Sequence, residues 1–139
     1  MAIMTLEPQP PTILIVDDND LMRTLLRGIL RSEDYPTVSE ARNGIVALDA
    51  IAKDKPDIVF LDVIMPEMDG IETLQNIKER YPDIAVIMIT GNPSKENVEE
   101  SIQSGASGFI VKPFNSAKVL NTLDRAWQSR KPPLEQRDD

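Results

Sequence analysis

The sequence predicts an α/β fold in which helices cover both faces of a five-stranded parallel sheet. Four apolar segments of strand length and one weaker strand segment alternate with five segments whose apolar residues recur at helical spacing. The connections between these segments are short, which favours parallel strands joined by right-handed helical crossovers. A chain of 139 residues is long enough for one hydrophobic core and too short for two ordinary domains. We therefore predict one doubly wound α/β domain.

The predicted strands are short and mainly apolar. Residues 13–16 and 58–61 are wholly apolar, which is typical of strands buried on both faces of a parallel sheet. Residues 85–89 and 109–111 are the fourth and fifth strands. The second strand, residues 37–41, has the weakest pattern.

Each predicted helix carries apolar residues three or four positions apart, and several have recognisable ends. We expect Asp20 to cap the first helix, and Asn43-Gly44 to turn the chain into the second. Ser94 opens the fourth helix and Gly105 closes it. The apolar residues that define the five helices are Leu21, Met22, Leu25, Leu26, Ile29 and Leu30; Ile45, Leu48 and Ile51; Ile71, Leu74 and Ile77; Val98 and Ile102; and Val119, Leu120, Leu123, Ala126 and Trp127.

Composition excludes several kinds of protein. The chain has no cysteine, so it has neither a disulfide framework nor a thiolate metal site. Its net charge of -8, from 23 acidic and 15 basic residues, argues against non-specific nucleic-acid binding. No apolar stretch approaches the roughly 20 residues of a membrane span, and residues 1–5 lack a signal-peptide pattern. We therefore expect a cytoplasmic protein.

Three aspartates follow two of the predicted strands. Asp17 and Asp18 come directly after the first strand, and Asp62 comes directly after the third. Ligands of such sheets bind at the carboxyl ends of the strands, so these acids share one crevice if the two strands are neighbours. Their like charges repel each other there, and a hard divalent cation relieves the repulsion. An all-oxygen site with positions left for water and phosphate suits Mg²⁺.

A hydroxyl group and an ammonium group follow two further strands. Thr90 comes at the end of the fourth strand and Lys112 comes after the fifth. Together with a metal ion, they would surround one carboxylate with groups that stabilise phosphoryl oxygens. Asp62 is the best candidate for the nucleophile, because Asp17 and Asp18 come as a pair and would be occupied as metal ligands.

Five motifs stand in order at the ends of the predicted strands, between about Thr12 and Trp127. They are Asp17-Asp18; Asp62 with Met65-Pro66 and Asp69-Gly70; Thr90-Gly91; Gly105-Ala106-Ser107-Gly108-Phe109; and Lys112-Pro113-Phe114. This pattern resembles the receiver domain of two-component response regulators. We accordingly predict a CheY-like, flavodoxin-like sheet of strand order 2-1-3-4-5, with the three aspartates at the switch point between strands one and three.

The resemblance implies a role for each matching residue. Asp62 would accept a phosphoryl group from a histidine. This chain has no histidine, so the donor would be a partner histidine kinase or histidine phosphotransfer protein. Asp18 and Asp62 would ligate Mg²⁺ directly, and Asp17 mainly through water. The backbone carbonyl of Ile64 would supply another oxygen. Lys112 would pair with Asp62 and then with the phosphoryl group.

The resemblance also implies a switch, and a cis peptide bond between Lys112 and Pro113. Thr90 would move to hydrogen-bond a phosphoryl oxygen, and Phe109 would pack inward as Thr90 moves. The fourth helix, fifth strand and fifth helix would then present a changed surface to a downstream protein, or to a second copy of the chain in a homodimer. Ile64 and Asn92 stand where the family tunes phosphoryl lifetime. The Ile64 side chain cannot position water by hydrogen bonding, whereas the Asn92 side chain can. The two residues therefore point in opposite directions, and the sequence does not predict how long the phosphoryl group lasts.

Each of these residues also has a simpler interpretation. An aspartate after a strand is most often a helix cap or a turn residue. Thr90 alone is compatible with a turn and Lys112 alone with a solvated charge, and a strand aromatic such as Phe109 needs no switching role. The coincidence of several such residues at the strand ends favours the phosphoryl site.

Three function classes follow from these interpretations. The first is a phosphorylation-driven signalling module that is not an enzyme in the usual sense. The second is a phosphatase of the haloacid dehalogenase type, with its nucleophile in residues 17–20, although nothing resembles the cap domain of that class. The third is a docking module that is independent of phosphorylation. Turnover of a small phosphate ester would favour the second class, and failure to bind Mg²⁺ would favour the third.

The two ends of the sequence differ from its centre. They are proline-rich or polar and lack apolar periodicity, so we predict a flexible segment over residues 1–11 and a flexible tail over residues 130–139. The receiver domain would span residues 12–129. If the chain is complete, it acts without an output domain of its own, and the sequence does not decide this.

Overall fold

A computed structural model describes residues 10–36 and 38–129, which form one parallel sheet with helices on both faces. The strands are β1 (Ile13–Val16), β2 (Val38–Ala41), β3 (Ile58–Asp62), β4 (Ala85–Thr90) and β5 (Gly108–Val111). The helices that follow them are α1 (Asp20–Ser32), α2 (Gly44–Lys53), α3 (Gly70–Arg80), α4 (Lys95–Gln103) and α5 (Ser116–Ser129). The strand order is β2-β1-β3-β4-β5, so the predicted fold class and topology are confirmed.

The sheet separates two hydrophobic clusters, because successive side chains of a strand point to opposite faces. In β4, Val86 and Met88 belong to a cluster with α2 and α3, which we call the α2–α3 core. Ile87 and Ile89 belong to a cluster with α1 and α5, the α1–α5 core. Phe60 at the centre of β3 is fully buried in the latter. The helix residues of the α2–α3 core are Ala47, Ile51, Ile71, Leu74 and Ile77, and those of the α1–α5 core are Leu26, Leu30, Val119, Leu123 and Ala126.

The helix ends agree with the sequence in all but one case. The side chains of Asn43 and Ser94 accept hydrogen bonds from the first turns of α2 and α4, as predicted. Gly105 follows α4 with φ of +100°, a conformation that favours glycine. The prediction for Asp20 was wrong, because Asn19 is the cap of α1 and accepts from the N–H groups of the next turn. Asp20 is the first helical residue, where its charge suits the helix dipole.

Some predictions concern residues that the structure does not describe. The proposed flexible ends, residues 1–11 and 130–139, lie outside the described residues except for Pro10 and Pro11. Thr37, the predicted first residue of the second strand, also lies outside them, and β2 begins at Val38. Within the described residues, no helix has the length and apolar character that crossing a membrane requires.

Candidate functional site

Three aspartates meet at the carboxyl edge of the sheet. β1 and β3 are hydrogen-bonded neighbours with Val16 opposite Leu61, so Asp17 and Asp62 emerge side by side. One carboxylate oxygen from each of Asp17, Asp18 and Asp62 lies within 4.8 Å of the other two. Asp17 is 2% exposed and Asp62 is 7% exposed, whereas Asp18 lies open to solvent. The arrangement has two acids in its floor and one at its rim.

The backbone around Asp17 is fixed on both sides of that residue. Its N–H donates to the carbonyl of Ala41 at the end of β2, at 3.2 Å. Its Oδ1 accepts the backbone N–H of Asn19 at 2.9 Å, which turns the chain into α1. The first acid of the crevice is thus held by the neighbouring strand and by the start of a helix.

Lys112 provides the positive charge of the crevice. Its Nζ donates to Asp17 Oδ2 at 2.9 Å and lies 3.6 Å from Asp62 Oδ2. The resemblance implied the pairing with Asp62, and the structure adds a closer pairing with Asp17. The backbone N–H of Lys112 donates to the carbonyl of Thr90 at 2.7 Å, and the expected cis bond to Pro113 is present. The cation is therefore tied to the end of β4 by its own backbone.

The electrostatic environment changes the acidity of Asp62. Burial and the negative charge of Asp17 raise the pKa of the Asp62 carboxyl to about 6, although Lys112 and the backbone N–H of Ile64 lower it. The effects that raise the pKa outweigh those that lower it, because the carboxylate has little access to water and faces another acid. The same environment would favour a bound cation, which would replace the lost hydration.

The backbone passes unusually close to Asp62 at Gly70. The Gly70 N–H donates to the carbonyl of Val63 at 2.7 Å, which closes the loop between β3 and α3. A Cβ atom added at Gly70 would lie 1.9 Å from the backbone oxygen of Asp62. Only glycine fits this approach. The sequence showed Gly70 as part of a motif, but this contact depends on how the loop folds.

The two proposed switch residues lie on adjacent strands. Thr90 is 1% exposed at the end of β4, and its Oγ1 accepts the backbone N–H of Asn92 at 3.1 Å. Phe109 in β5 pairs with Met88 and packs, half-buried, against the α2–α3 core. Ile64 follows β3 with an exposed side chain, as its proposed role through a backbone carbonyl allows.

The sequence patterns did not indicate Arg23 as a residue of the site. This residue of α1 donates from Nη1 to the backbone carbonyl of Asp17 at 2.6 Å, and from Nε to Glu40 Oε1 of β2 at 3.1 Å. It also pairs with Asp20, three positions earlier. The helical spacing of Asp20 and Arg23 is a sequence signal that could have indicated that ion pair. No sequence pattern indicated the hydrogen bond from Arg23 to the backbone carbonyl of Asp17.

The donor set fits a hard divalent cation. The three acids are the only group of this kind among residues 10–36 and 38–129, and all their donor atoms are carboxylate oxygens. One ammonium group faces three carboxylates, so the crevice keeps an excess of negative charge. Oxygen donors with positions left for water suit Mg²⁺.

Comparison with known proteins identifies the family. The model of the response regulator receiver domain matches residues 13–124, a span that contains the whole acidic crevice. The chain belongs to the response regulator receiver family. The receiver domain is a signalling domain of two-component systems rather than a conventional enzyme. Receiver domains typically bind Mg²⁺, in agreement with the three acids that gather here.

Relatives of this receiver include chemotaxis proteins. The chain is 44% identical to the chemotaxis protein CheY of Listeria monocytogenes over 114 residues, which cover 82% of this chain and 96% of that protein. It is 40% identical to CheY of Bacillus subtilis over 113 residues, which cover 81% and 94%. The similarity thus extends over nearly the whole of each relative.

Solved structures support the same fold. Vibrio cholerae CheY4 superposes with a TM-score of 0.80 at 32% identity, over 85% of this chain and 99% of that one. A CheY-like receiver domain protein of Methanospirillum hungatei superposes with a TM-score of 0.82 at 30% identity, over 86% and 95%. The receiver fold is therefore shared along the described chain.

Proposed function

We propose that this receiver takes a phosphoryl group from a phosphorylated histidine of a partner kinase or phosphotransfer protein onto Asp62. The observation that carries the proposal is the convergence of Asp17, Asp18 and Asp62 beside Lys112. A metal site alone would not need a lysine between the acids. A crevice with acids, one ammonium group and positions open to solvent suits a reaction in which phosphoryl oxygens enter and must be neutralised.

Asp62 is the nucleophile in this proposal. The Asp62 carboxylate oxygen forms a bond to phosphorus while the bond from phosphorus to the donor nitrogen breaks. The electron pair of the broken bond stays with the imidazole of the donor histidine. Lys112 already lies 3.6 Å from the Asp62 carboxylate and would stabilise the transferred group with its positive charge. With a pKa raised to about 6, Asp62 is still ionised at neutral pH. It therefore enters the reaction as the carboxylate.

Mg²⁺ would neutralise phosphoryl oxygens during the transfer and keep Asp62 ionised. Asp18 and Asp62 would hold it directly, Asp17 mainly through water, and the carbonyl of Ile64 would add an oxygen. Asp18 suits a ligand at the rim because its side chain is open to solvent. Asp17 suits a more distant role because Asn19 and Lys112 already occupy both of its carboxylate oxygens.

The response to phosphorylation would pass through Thr90 to Phe109. Thr90 is the end of the strand beside β3, and Phe109 lies in the next strand. A groove of about 250 Å³ lies beside Phe109 and is lined by Ile102 and Ala106 as well. Ile102 of α4 and Val111 of β5 are exposed apolar residues. We assign the surface of α4, β5 and α5 to a downstream protein whose binding depends on phosphorylation.

Phosphorylation in the test tube tests the chemistry directly. Acetyl phosphate with Mg²⁺ should add one base-labile phosphoryl group to the wild-type chain, as measured by intact mass, and none to Asp62→Asn. The asparagine keeps the shape of the side chain but lacks the nucleophilic oxygen. Equal phosphorylation of both proteins would place the modification elsewhere. Steady hydrolysis of a small phosphate ester would instead support the phosphatase interpretation.

A further inference from the structure

Arg23 joins three segments that surround the acidic crevice. Its guanidinium bonds to the Asp17 carbonyl at 2.6 Å, to Glu40 Oε1 at 3.1 Å and to the Asp20 carboxylate. Only 14% of the Arg23 side chain is exposed. A guanidinium offers several N–H donors in one rigid plane, so these three bonds hold it in one orientation. Arg23 is thus a fixed point next to the loop that carries two of the acids.

The carbonyl that Arg23 binds belongs to the peptide bond between Asp17 and Asp18. Because a peptide unit is planar, a fixed carbonyl sets the direction in which the chain continues to the Cα atom of Asp18. The Asp18 side chain has no comparable support of its own among the described residues. It is exposed, and no hydrogen bond or ion pair with another described residue holds it. The side chain of Asp17, by contrast, is held by Asn19 and Lys112.

We propose that Arg23 is a positioning residue for the metal site, which acts by holding the Asp17–Asp18 peptide so that the Asp18 carboxylate faces the crevice. The inference rests on the proposed function, because it takes Mg²⁺ as the ligand of the acids. Arg23 itself does not bind the metal. Loss of a group that orients a metal ligand typically weakens metal binding about 10–100-fold.

Arg27 offers a matched control on the same helix. It lies one turn after Arg23 and pairs with the other carboxylate oxygen of Glu40. No hydrogen bond joins its side chain to Asp17 among the described residues. Arg23→Ala and Arg27→Ala therefore each remove one positive charge and one contact with Glu40. They differ in the bond to the Asp17 carbonyl and in the ion pair with Asp20, both of which only Arg23 makes among the described residues.

Calorimetric titration with MgCl₂ alone measures the expected difference. We expect Arg23→Ala to bind Mg²⁺ at least ~10-fold more weakly than wild type, and Arg27→Ala to bind it with wild-type affinity. Arg23→Lys should be intermediate, because an ammonium group keeps one donor for the carbonyl. Urea unfolding of each variant confirms that the titrated protein is folded, and Arg23→Lys carries the comparison if Arg23→Ala does not fold.

Hydrogen exchange provides a second readout without metal. The Asn19 N–H donates to Asp17 Oδ1, so its exchange rate reports on the order of this loop. It should rise in Arg23→Ala and stay unchanged in Arg27→Ala. Wild-type Mg²⁺ affinity in Arg23→Ala would overturn the inference and leave the proposed function standing, and so would equal losses in both alanine variants. A wild-type chain that binds no Mg²⁺ would overturn the proposed metal site and the inference with it.

Discussion

Lys112 Nζ lies 2.9 Å from Asp17 Oδ2 but 3.6 Å from Asp62 Oδ2, so the ammonium group is bonded more closely to the acid after β1 than to the proposed phosphoacceptor. Both acids are buried, and each would carry an uncompensated charge without it. A divalent cation in the crevice would meet the same electrostatic need. The lysine and a bound cation would therefore contribute to the stability of the fold in overlapping ways.

The first prediction follows from this overlap. Lys112→Ala should make the melting temperature more dependent on Mg²⁺, because the cation then opposes repulsion that the lysine no longer reduces. The increase in the melting temperature of Lys112→Ala on going from EDTA to excess Mg²⁺ should exceed the increase for wild type by several degrees. A change of ~1 kcal/mol shifts the melting temperature of a domain of this size by roughly 4 °C. Asp18→Ala is the control and should abolish the rise. An equal rise in wild type and Lys112→Ala would contradict the prediction.

The second prediction concerns pH. The folded-state pKa of Asp62 is raised to about 6, so the folded chain binds a proton more tightly than the unfolded chain. Ionised Asp62 therefore destabilises the fold above pH 6, and this cost disappears as the pH falls towards the unfolded value of about 4. With EDTA present, Asp62→Asn should be more stable than wild type at pH 7.5, by on the order of 2 kcal/mol, since one pKa unit corresponds to about 1.4 kcal/mol.

Urea unfolding at pH 7.5 and pH 5 measures this effect. The advantage of Asp62→Asn should shrink at the lower pH, where wild-type Asp62 is mostly protonated and resembles the amide. Asp57→Asn is a suitable control, because Asp57 lies at the opposite end of the sheet and accepts the N–H of Thr12. An advantage of Asp62→Asn that is absent at pH 7.5, or that grows at pH 5, would show that the charge on Asp62 is not unfavourable.

The third prediction compares two glycines. Gly70→Ala would place a methyl group 1.9 Å from the backbone oxygen of Asp62, so the loop or the strand end must shift. We expect a loss of about 1–3 kcal/mol in the free energy of unfolding, as overpacking typically costs, together with slower phosphorylation of Asp62. Gly28→Ala should instead stabilise the chain by up to about 1 kcal/mol, because Gly28 lies within α1 with nothing within 4 Å of its Cβ position. Equal stability of the two variants would contradict the close approach at Gly70.

The fourth prediction concerns the switch. Thr90→Ala should still accept a phosphoryl group at Asp62, but it should lose most of the response at Phe109, Ile102 and Val111, because the hydroxyl that would follow the phosphoryl group is missing. Amide chemical shifts with and without beryllofluoride, a mimic of the phosphoryl group, measure that response. Thr90→Ser keeps the hydroxyl, so this variant should retain the chemical-shift response. A full wild-type pattern of shifts in Thr90→Ala would return Phe109 to the role of an ordinary core aromatic.

The strand pattern was sufficient to predict the positions of the principal acids. Uninterrupted apolar runs located β1 and β3, and the rule that parallel sheets bind ligands at their carboxyl ends brought Asp17 and Asp62 together. Helix caps were harder to predict. Asn19 and Asp20 are adjacent and both suit the cap position by residue type, so the choice between them depends on backbone angles that sequence does not contain.

The contacts that refine the site could not be predicted from the sequence. Lys112 reaches Asp17 across 95 positions of the chain, and its preference over Asp62 depends on differences of less than an ångström. Arg23 binds a backbone carbonyl, and every residue type has one, so no pattern of side chains indicates the partner. The space beside Gly70 depends on the path of a loop. Such features arise from packing, which determines geometry after residue types have determined the fold.

The alternation of side chains along β4 gives the proposed switch a direction. Val86 and Met88 point into the α2–α3 core while Ile87 and Ile89 point into the α1–α5 core, so Thr90 falls on the side of the first pair. Phe109 packs on that side too. A displacement of Thr90 would therefore reach the α2–α3 core first, whereas the α1–α5 core, which lies behind the sheet and includes α5, would respond only afterwards. Because a strand has a two-residue period, shifting Thr90 by a single position would send the same displacement to the opposite half.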